Sequence, residues 1–320
     1  MAFVAHILVL NELEQHQAIY ALKVQRRRLR DIYNPFDLRE YDFTKLFRIS
    51  KNLALYIIDK LSYVQRLQRK RKNGLSLQLQ VIVAIRFFAF GSFQRCVGQD
   101  NLGSISQPSV SRCITRVATS LFEVCLSDWV RFPQNDAERK AVEIRFRDIM
   151  GVPGIIGCID GTQVAIATPF PLDNEEAYKN HHGYHSINCQ LICDNQLRIM
   201  NALCFPGTVH DQFIFSSSII HTEMNRLHTQ RIGKYFLLAD SGYRAEPFIL
   251  TPVLGAAKGS PEERYTKRHC QVRNCIERCN GVLKMRWRCL SKYSTLRYRP
   301  KTSAFIVIAC VILHNMCLEW

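Results

Sequence analysis

Ile155-Ile156-Gly157-Cys158-Ile159-Asp160-Gly161-Thr162 is a short apolar run that ends on a carboxylate and is followed at once by glycine. Preceded by the turn-forming Gly151-Val152-Pro153-Gly154, it predicts a buried strand with Asp160 as its last side chain, and Gly161 lets another group approach closely. The pattern returns downstream, where Tyr235 to Ala239 (Y-F-L-L-A) is apolar, Asp240 closes it and Ser241-Gly242 follows. Between the two copies, Ser186 to Cys193 alternates, Asp194-Asn195 turns, and Leu197 to Phe205 returns, which predicts a hairpin beside the first strand. Gln212 to Ile220 reads as a helix and Phe248 to Val253 as a further strand. Gly255 to Arg264 reads as a loop, His269 to Arg286 as a basic helix carrying Glu277, and the segment from Thr302 as an apolar helix.

Upstream the period is helical. Leu46-Phe47, Leu53, Ile57-Ile58 and Leu61 recur at helix spacing, and Leu75 to Phe90 and Gln94 to Asn101 read as further helices. Ser104 to Arg112 (S-I-S-Q-P-S-V-S-R) then opens another, with Ser106 placed to cap it and Pro108 in its first turn. Val110, Ile114, Val117 and Leu121 share one face, leaving Gln107, Ser109, Ser111, Arg112 and Arg116 outside. A short helix, a tight turn and a helix with basic outer residues suit a major groove, although an ordinary helical hairpin has the same pattern. Ser127 to Ala137 reads as a connection and Glu138 to Met150 as an amphipathic helix. The chain is thus divided into a basic helical region (1–75), a helix-turn-helix-like domain with its linker (76–145) and an α/β domain (146–320).

Composition narrows the function. Lys and Arg number 43 against 27 acids in 320 residues, a net +16, which points to a polyanionic partner, nucleic acid before an acidic membrane surface. The apolar run Ala304 to Leu313 falls short of the ~20 residues a bilayer span needs, so it reads as a core helix. Met1 to Leu10 lacks a basic flank and a small-residue cleavage site, so no secretory signal is expected. The 13 cysteines lie in apolar contexts and read as reduced thiols of a cytosolic or nuclear protein. Arg69-Lys70-Arg71-Lys72 reads either as a solvated helix end or as a nuclear import signal or phosphate contact; Arg26-Arg27-Arg28 with Arg30 is a second basic cluster. His269, Cys270, Cys275 and Cys279 match no usual zinc-finger spacing.

Two aspartates on strand ends and a helical glutamate can meet at one sheet edge. Carboxylates so placed bind Mg²⁺ or Mn²⁺, and a pair of such ions activates a nucleophile and stabilises a leaving oxygen in phosphodiester chemistry. Asp160 and Asp240 are the candidates to bridge the metals, with Glu277 arriving from its helix. Read alone, each acid is equally a turn residue or a surface charge, Glu277 one paired with Arg273. Arg273, Glu277 and Lys284 lie at i, i+4 and i+11, close to one helix face. Asp211, after His210 and ahead of a helix, suits an N-cap. Pro261 to Lys301 holds twelve Lys or Arg, with Trp287, Tyr293 and Tyr298 interleaved, the look of a DNA-facing surface. Its candidate DNA contacts are Arg273, Lys284, Arg286 and Arg288, joined by Lys179 and by Arg112 and Arg116 upstream.

The order of three strands, a helix, a strand and then helices is that of a ribonuclease H-like mixed sheet. C-I-D-G-T (158–162), Y-H-S-I-N (184–188), F-P-G-T-V-H-D (205–211), L-L-A-D-S-G-Y (237–243), I-E-R-C-N-G-V-L-K (276–284) and L-H-N (313–315) together resemble the DDE nuclease domain of PIF/Harbinger transposases. Ser104 to Arg112 resembles the family's helix-turn-helix segment, with one extra residue near Ser104. The resemblance implies a metal-dependent DNA endonuclease with Asp160, Asp240 and Glu277 catalytic, Asp211 as a further metal-binding carboxylate, and Mg²⁺ or Mn²⁺ as cofactor. It also implies a separate Myb-like DNA-binding partner and a nuclear location, with cytoplasm and homo-oligomerisation left open. The rival expectation is a domesticated DNA-binding or scaffold protein that no longer cuts. His181-His182 stands where the family has Arg-Lys, which weakens the phosphate contact expected there. Arg-three-Glu-six-Lys is similar to a signature of bacterial DDE transposases, whose tyrosine would fall at Cys270.

Overall fold

Entry into the first strand is set by a glycine. Gly154 has φ +82°, and a Cβ there would stand 2.4 Å from the Lys234 carbonyl oxygen, so no other residue fits the turn. The computed structural model describes residues 2–68, 74–91, 94–99, 104–169 and 174–320, so the basic cluster Arg69 to Lys72 lies outside the described residues. Beyond Gly154, β1 (Ile155–Ala165) runs through the middle of a mixed five-stranded sheet. It pairs antiparallel with β2 (Ser186–Cys193) and parallel with β4 (Phe236–Leu238). Outside these lie β3 (Ile199–Pro206) and β5 (Ile249–Leu250), giving the order β3-β2-β1-β4-β5 of a ribonuclease H-like fold. The β2–β3 turn closes on Asp194, whose Oδ1 accepts from the Gln196 and Arg198 amides, each at 2.9 Å.

Two compact units make up the chain, residues 1–87 with 92–114, and residues 88–91 with 115–320. In the first, α1 (Ala2–Ile32), α2 (Glu40–Phe47) and α3 (Lys51–Lys60) precede α4 (Leu77–Phe90) and α5 (Gln94–Gln99). Phe43, Phe47, Leu53, Ile57 and Ile85 form its core. Ser50 caps α3 by accepting from the Leu53 amide at 3.1 Å. The turn expected before α6 (Gln107–Trp129) falls partly outside the described residues, at 100–103; on either side of it Ile105 N donates to Gly98 O at 2.9 Å, and a Cβ on Gly98 would lie 2.5 Å from Ile105 O. Val110, Ile114, Val117 and Leu121 are buried along α6, while Gln107, Arg112 and Arg116 are exposed.

In the second unit the sheet carries helices on both faces, α8 (Asp211–Ser216) with α9 (Ile219–Thr229), and α10 (Pro261–Arg286) with α11 (Pro300–Glu319); α7 (Asp136–Met150) packs on β1. Every residue of β2 is buried, the mark of a strand covered on both faces. Several boundaries depart from expectation. The helix read over Gln212 to Ile220 is two helices, because Ser218 caps a fresh start by accepting from His221 N at 3.0 Å. The basic helix begins eight residues early, inside the expected loop, because Ser260 caps it, Pro261 takes its first position and Glu262-Glu263 its first turn. The last strand shrinks to Ile249–Leu250. The C-terminal helix starts at Pro300 and, by length and composition, is long and apolar enough to cross a membrane. It is buried continuously from Ile306 to Met316, as an all-round apolar core helix must be.

Candidate functional site

Asp160 is not the last side chain of its strand, because β1 runs on to Ala165 in antiparallel pairing with β2; the β1–β4 pairing sets it level with Asp240, two residues past the end of β4. Cys158 lies beside Leu238, and Asp160 and Asp240 each follow two residues later, so the period of a strand sends both toward the same face. On that face lies α10, where Asn280 Nδ2 donates to Asp160 Oδ2 at 3.2 Å. Burial pushes the Asp160 carboxyl up to about 7; Arg273 opposes the rise, while Asp240, Asp211 and Glu277 add to it. These four acids therefore feel one another through a partly dry region.

Asp211 approaches from the opposite side of β1. A Cβ on Gly161 would stand 2.2 Å from Asp211 Oδ1, so the carboxylate lies over the bare backbone on the face away from Asp160. The N-cap expectation fails: His210 holds the cap position without a side-chain bond, and Asp211 is the first residue of α8. Its Oδ1 instead accepts from Asn188 Nδ2 at 2.6 Å, and its backbone oxygen accepts from Gln190 Nε2 at 2.8 Å. Burial raises the Asp211 pKa, the Asn188 bond opposes it, Asp240 adds to it, and His210 and His181 lower it. Gln190 also donates to Tyr243 Oη at 2.9 Å, and burial beside Asp211, Asp160 and Asp240 holds that phenol far above its ordinary value.

Glu277 is more detached. Its side chain is 57% exposed and pairs with Arg273 at 3.1 Å. Among the described residues, no three His, Cys, Asp or Glu stand together as a closed metal cage. The donor chemistry nevertheless fits a hard divalent ion: Asp240, Asp211 and Glu277 each act against the Asp160 anion, and the buried Oδ1 atoms of Asn188 and Asn280 have no hydrogen-bond partner. Elsewhere, His269 Nε2 lies 2.9 Å from Leu250 O, Cys270 is exposed, and Cys275 and Cys279 are buried.

The cations divide in two. Lys284 Nζ donates to Gln163 O at 2.8 Å, and burial lowers its pKa; Arg286 Nη1 donates to His314 O at 3.3 Å. Arg288, Lys179, Arg112 and Arg116 are exposed. Of the interleaved aromatics, Trp287 is wholly buried and cannot stack on a base, whereas Tyr293 is 95% exposed. His181 and His182, both exposed, have ring centroids 3.8 Å apart.

Sequence reading did not single out Asn188, Gln190 and Asn280. Their signal was present: two amides in register inside an otherwise apolar β2, and a third one helical turn beyond Glu277.

A family model described as a DDE superfamily endonuclease matches residues 159–315, which hold all four acids. The proteins named putative nuclease HARBI1 are 33% identical in Xenopus laevis and 31% in Homo sapiens, each over 92% of this chain and over 82% and 81% of the relative. The chain belongs to the Harbinger transposase-derived nuclease family. A more distant relative, Protein ALP1-like of Arabidopsis thaliana, is 23% identical over 87% of this chain and 70% of its own length. No solved structure matches the chain. The matched span covers β1 from Ile159 onward and the rest of the sheet with Asp160 and Asp240.

Proposed function

We propose that the second unit is a divalent-metal-dependent DNA endonuclease in which Asp160 and Asp240 hold Mg²⁺ or Mn²⁺, with Asp211 and Glu277 completing the acidic set. The observation that carries this reading is the Asp160 carboxyl, partly buried in the middle of β1 and pushed up to about 7, with Asp240, Asp211 and Glu277 each adding to the rise. A group so destabilised as an anion gains most from a cation. When bound, a pair of divalent ions supplies activation of the attacking water and charge stabilisation at the leaving oxygen.

The chain's own residues do the rest. Asn188 and Gln190 hold Asp211 by side chain and backbone, and Arg273 balances Glu277 and Asp160 while no cation is bound. The exposed Arg288, Lys179, Arg112 and Arg116 meet phosphates, which sets affinity and its salt dependence, not sequence choice. Sequence choice then falls to a separate Myb-like DNA-binding protein in the nucleus. The test is nicking of supercoiled DNA with Mg²⁺ or Mn²⁺, wild type against Asp160→Asn. Equal cleavage by both removes Asp160 from the mechanism.

A second reading, a DNA-binding or scaffold protein that no longer cuts, is favoured by the lack of a closed three-ligand cage among the described residues. It predicts salt-dependent DNA binding without any metal-dependent product.

A further inference from the structure

At the point where α10 comes closest to the Asp160 carboxylate, it offers an amide and not an acid. Asn280 Nδ2 donates to Asp160 Oδ2 at 3.2 Å. The Asn280 Oδ1 atom is buried and accepts no hydrogen bond. Glu277, one turn earlier, is mostly exposed and tied to Arg273 at 3.1 Å. A buried amide oxygen without a donor is costly unless something electropositive comes to it. An ionised acid at position 280 would repel Asp160, and a lysine would occupy the place of a cation. A carboxamide does neither: it gives one N–H to the carboxylate and leaves one hard oxygen open.

We infer that Asn280 is a positioning residue for the metal: its N–H fixes Asp160 Oδ2, so that Asp160 Oδ1 and Asn280 Oδ1 are both left for a divalent cation or its bound water. The inference rests on the reading that Asp160 holds the metal. Outer partners that orient a metal-ligating carboxylate govern affinity, and their loss typically costs about 10- to 100-fold.

The experiment is calorimetric titration of Mn²⁺ into the full chain, without DNA, for wild type, Asp160→Asn, Asn280→Ala and Asn280→Ser, with metal-free melting temperatures for each. Expected is Mn²⁺ binding by wild type, none by Asp160→Asn, and binding about 10- to 100-fold weaker in both Asn280 variants. Whichever variant keeps the wild-type melting temperature carries the comparison. In nicking assays the Mn²⁺ concentration for half-maximal rate should rise by the same factor. An Asn280 variant that binds Mn²⁺ as wild type does, while Asp160→Asn does not, overturns this inference and spares the nuclease reading. A wild-type chain that binds no Mn²⁺ overturns both.

Discussion

The two faces of β1 treat their carboxylates differently. On the α8 face, Asp211 sits over Gly161 with Asn188 and Gln190 bonded to it, a site whose acid has its partners in place. On the α10 face, Asp160 has one long bond from Asn280, an opposing Arg273 and like charges close by. Burial raises both carboxyls, but the first is positioned by two amides and the second by one amide and an opposing guanidinium.

The contrast breaks most visibly at Asp160. Asp160→Asn should reduce metal-dependent nicking by roughly 100-fold or more, the scale of losing one group that stabilises developing charge. The same change should leave the metal-free fold more stable at high pH. The folded Asp160 pKa, about 7, lies above the ordinary value of 3.8, so between those values the folded state retains a proton that the unfolded chain has lost. Stability therefore falls as pH rises toward 7, and the full cost is present above it. The melting-temperature gain of Asp160→Asn over wild type should accordingly grow from pH 5 to pH 8, and a gain that stays flat would mean that burial does not perturb this carboxyl.

On the other face the expected effects are steric. Gly161→Ala drives a Cβ into the Asp211 carboxylate and should destabilise by about 1–3 kcal/mol. Combining it with Asp211→Ala should recover part of that loss, and strict additivity in denaturant titrations would show that the two groups do not touch. Asn188→Ala removes the donor to Asp211 Oδ1 and should cost about 1–3 kcal/mol, again read from denaturant midpoints. The smallest stability effect should come from Glu277→Gln, within about 0.5 kcal/mol because that side chain is exposed, while nicking still drops. A large loss of stability there would make Glu277 a structural ion pair and not a nuclease residue.

Much of the sheet was legible before any coordinates. The apolar runs before Asp160 and Asp240 announce two strands, and the Asp194 turn announces the hairpin, because strand periodicity and turn chemistry act locally. The polar Asp160-Gly161-Thr162 reads as a strand end, but pairing with β2 carries β1 on to Ala165. The amides of β2 were not legible as a site, since a buried Asn in an alternating strand looks the same whether it faces solvent, core or ligand. Asp211 was misplaced by one position, because a helix start fixes a window and only backbone geometry fixes the cap. Trp287 read as a stacking aromatic on a basic surface and proved to be core, for a run of cations says nothing about which way the residue between them turns. Lys284 and Arg286 are half-buried, each donating to a backbone carbonyl, of Gln163 and of His314, which the basic pattern does not reveal.

Asn315 carries a consequence for the outer border of the sheet. Its Oδ1 accepts from Ile199 N at 2.9 Å and its Nδ2 donates to Ile199 O at 2.7 Å, so one carboxamide imitates the peptide unit of a missing sixth strand. A chain terminated just before residue 315 would lose that imitation along with the last turn of α11 and leave a bare rim on β3. Foreign strands add to such rims, so a chain cut there should self-associate more than the 320-residue chain does.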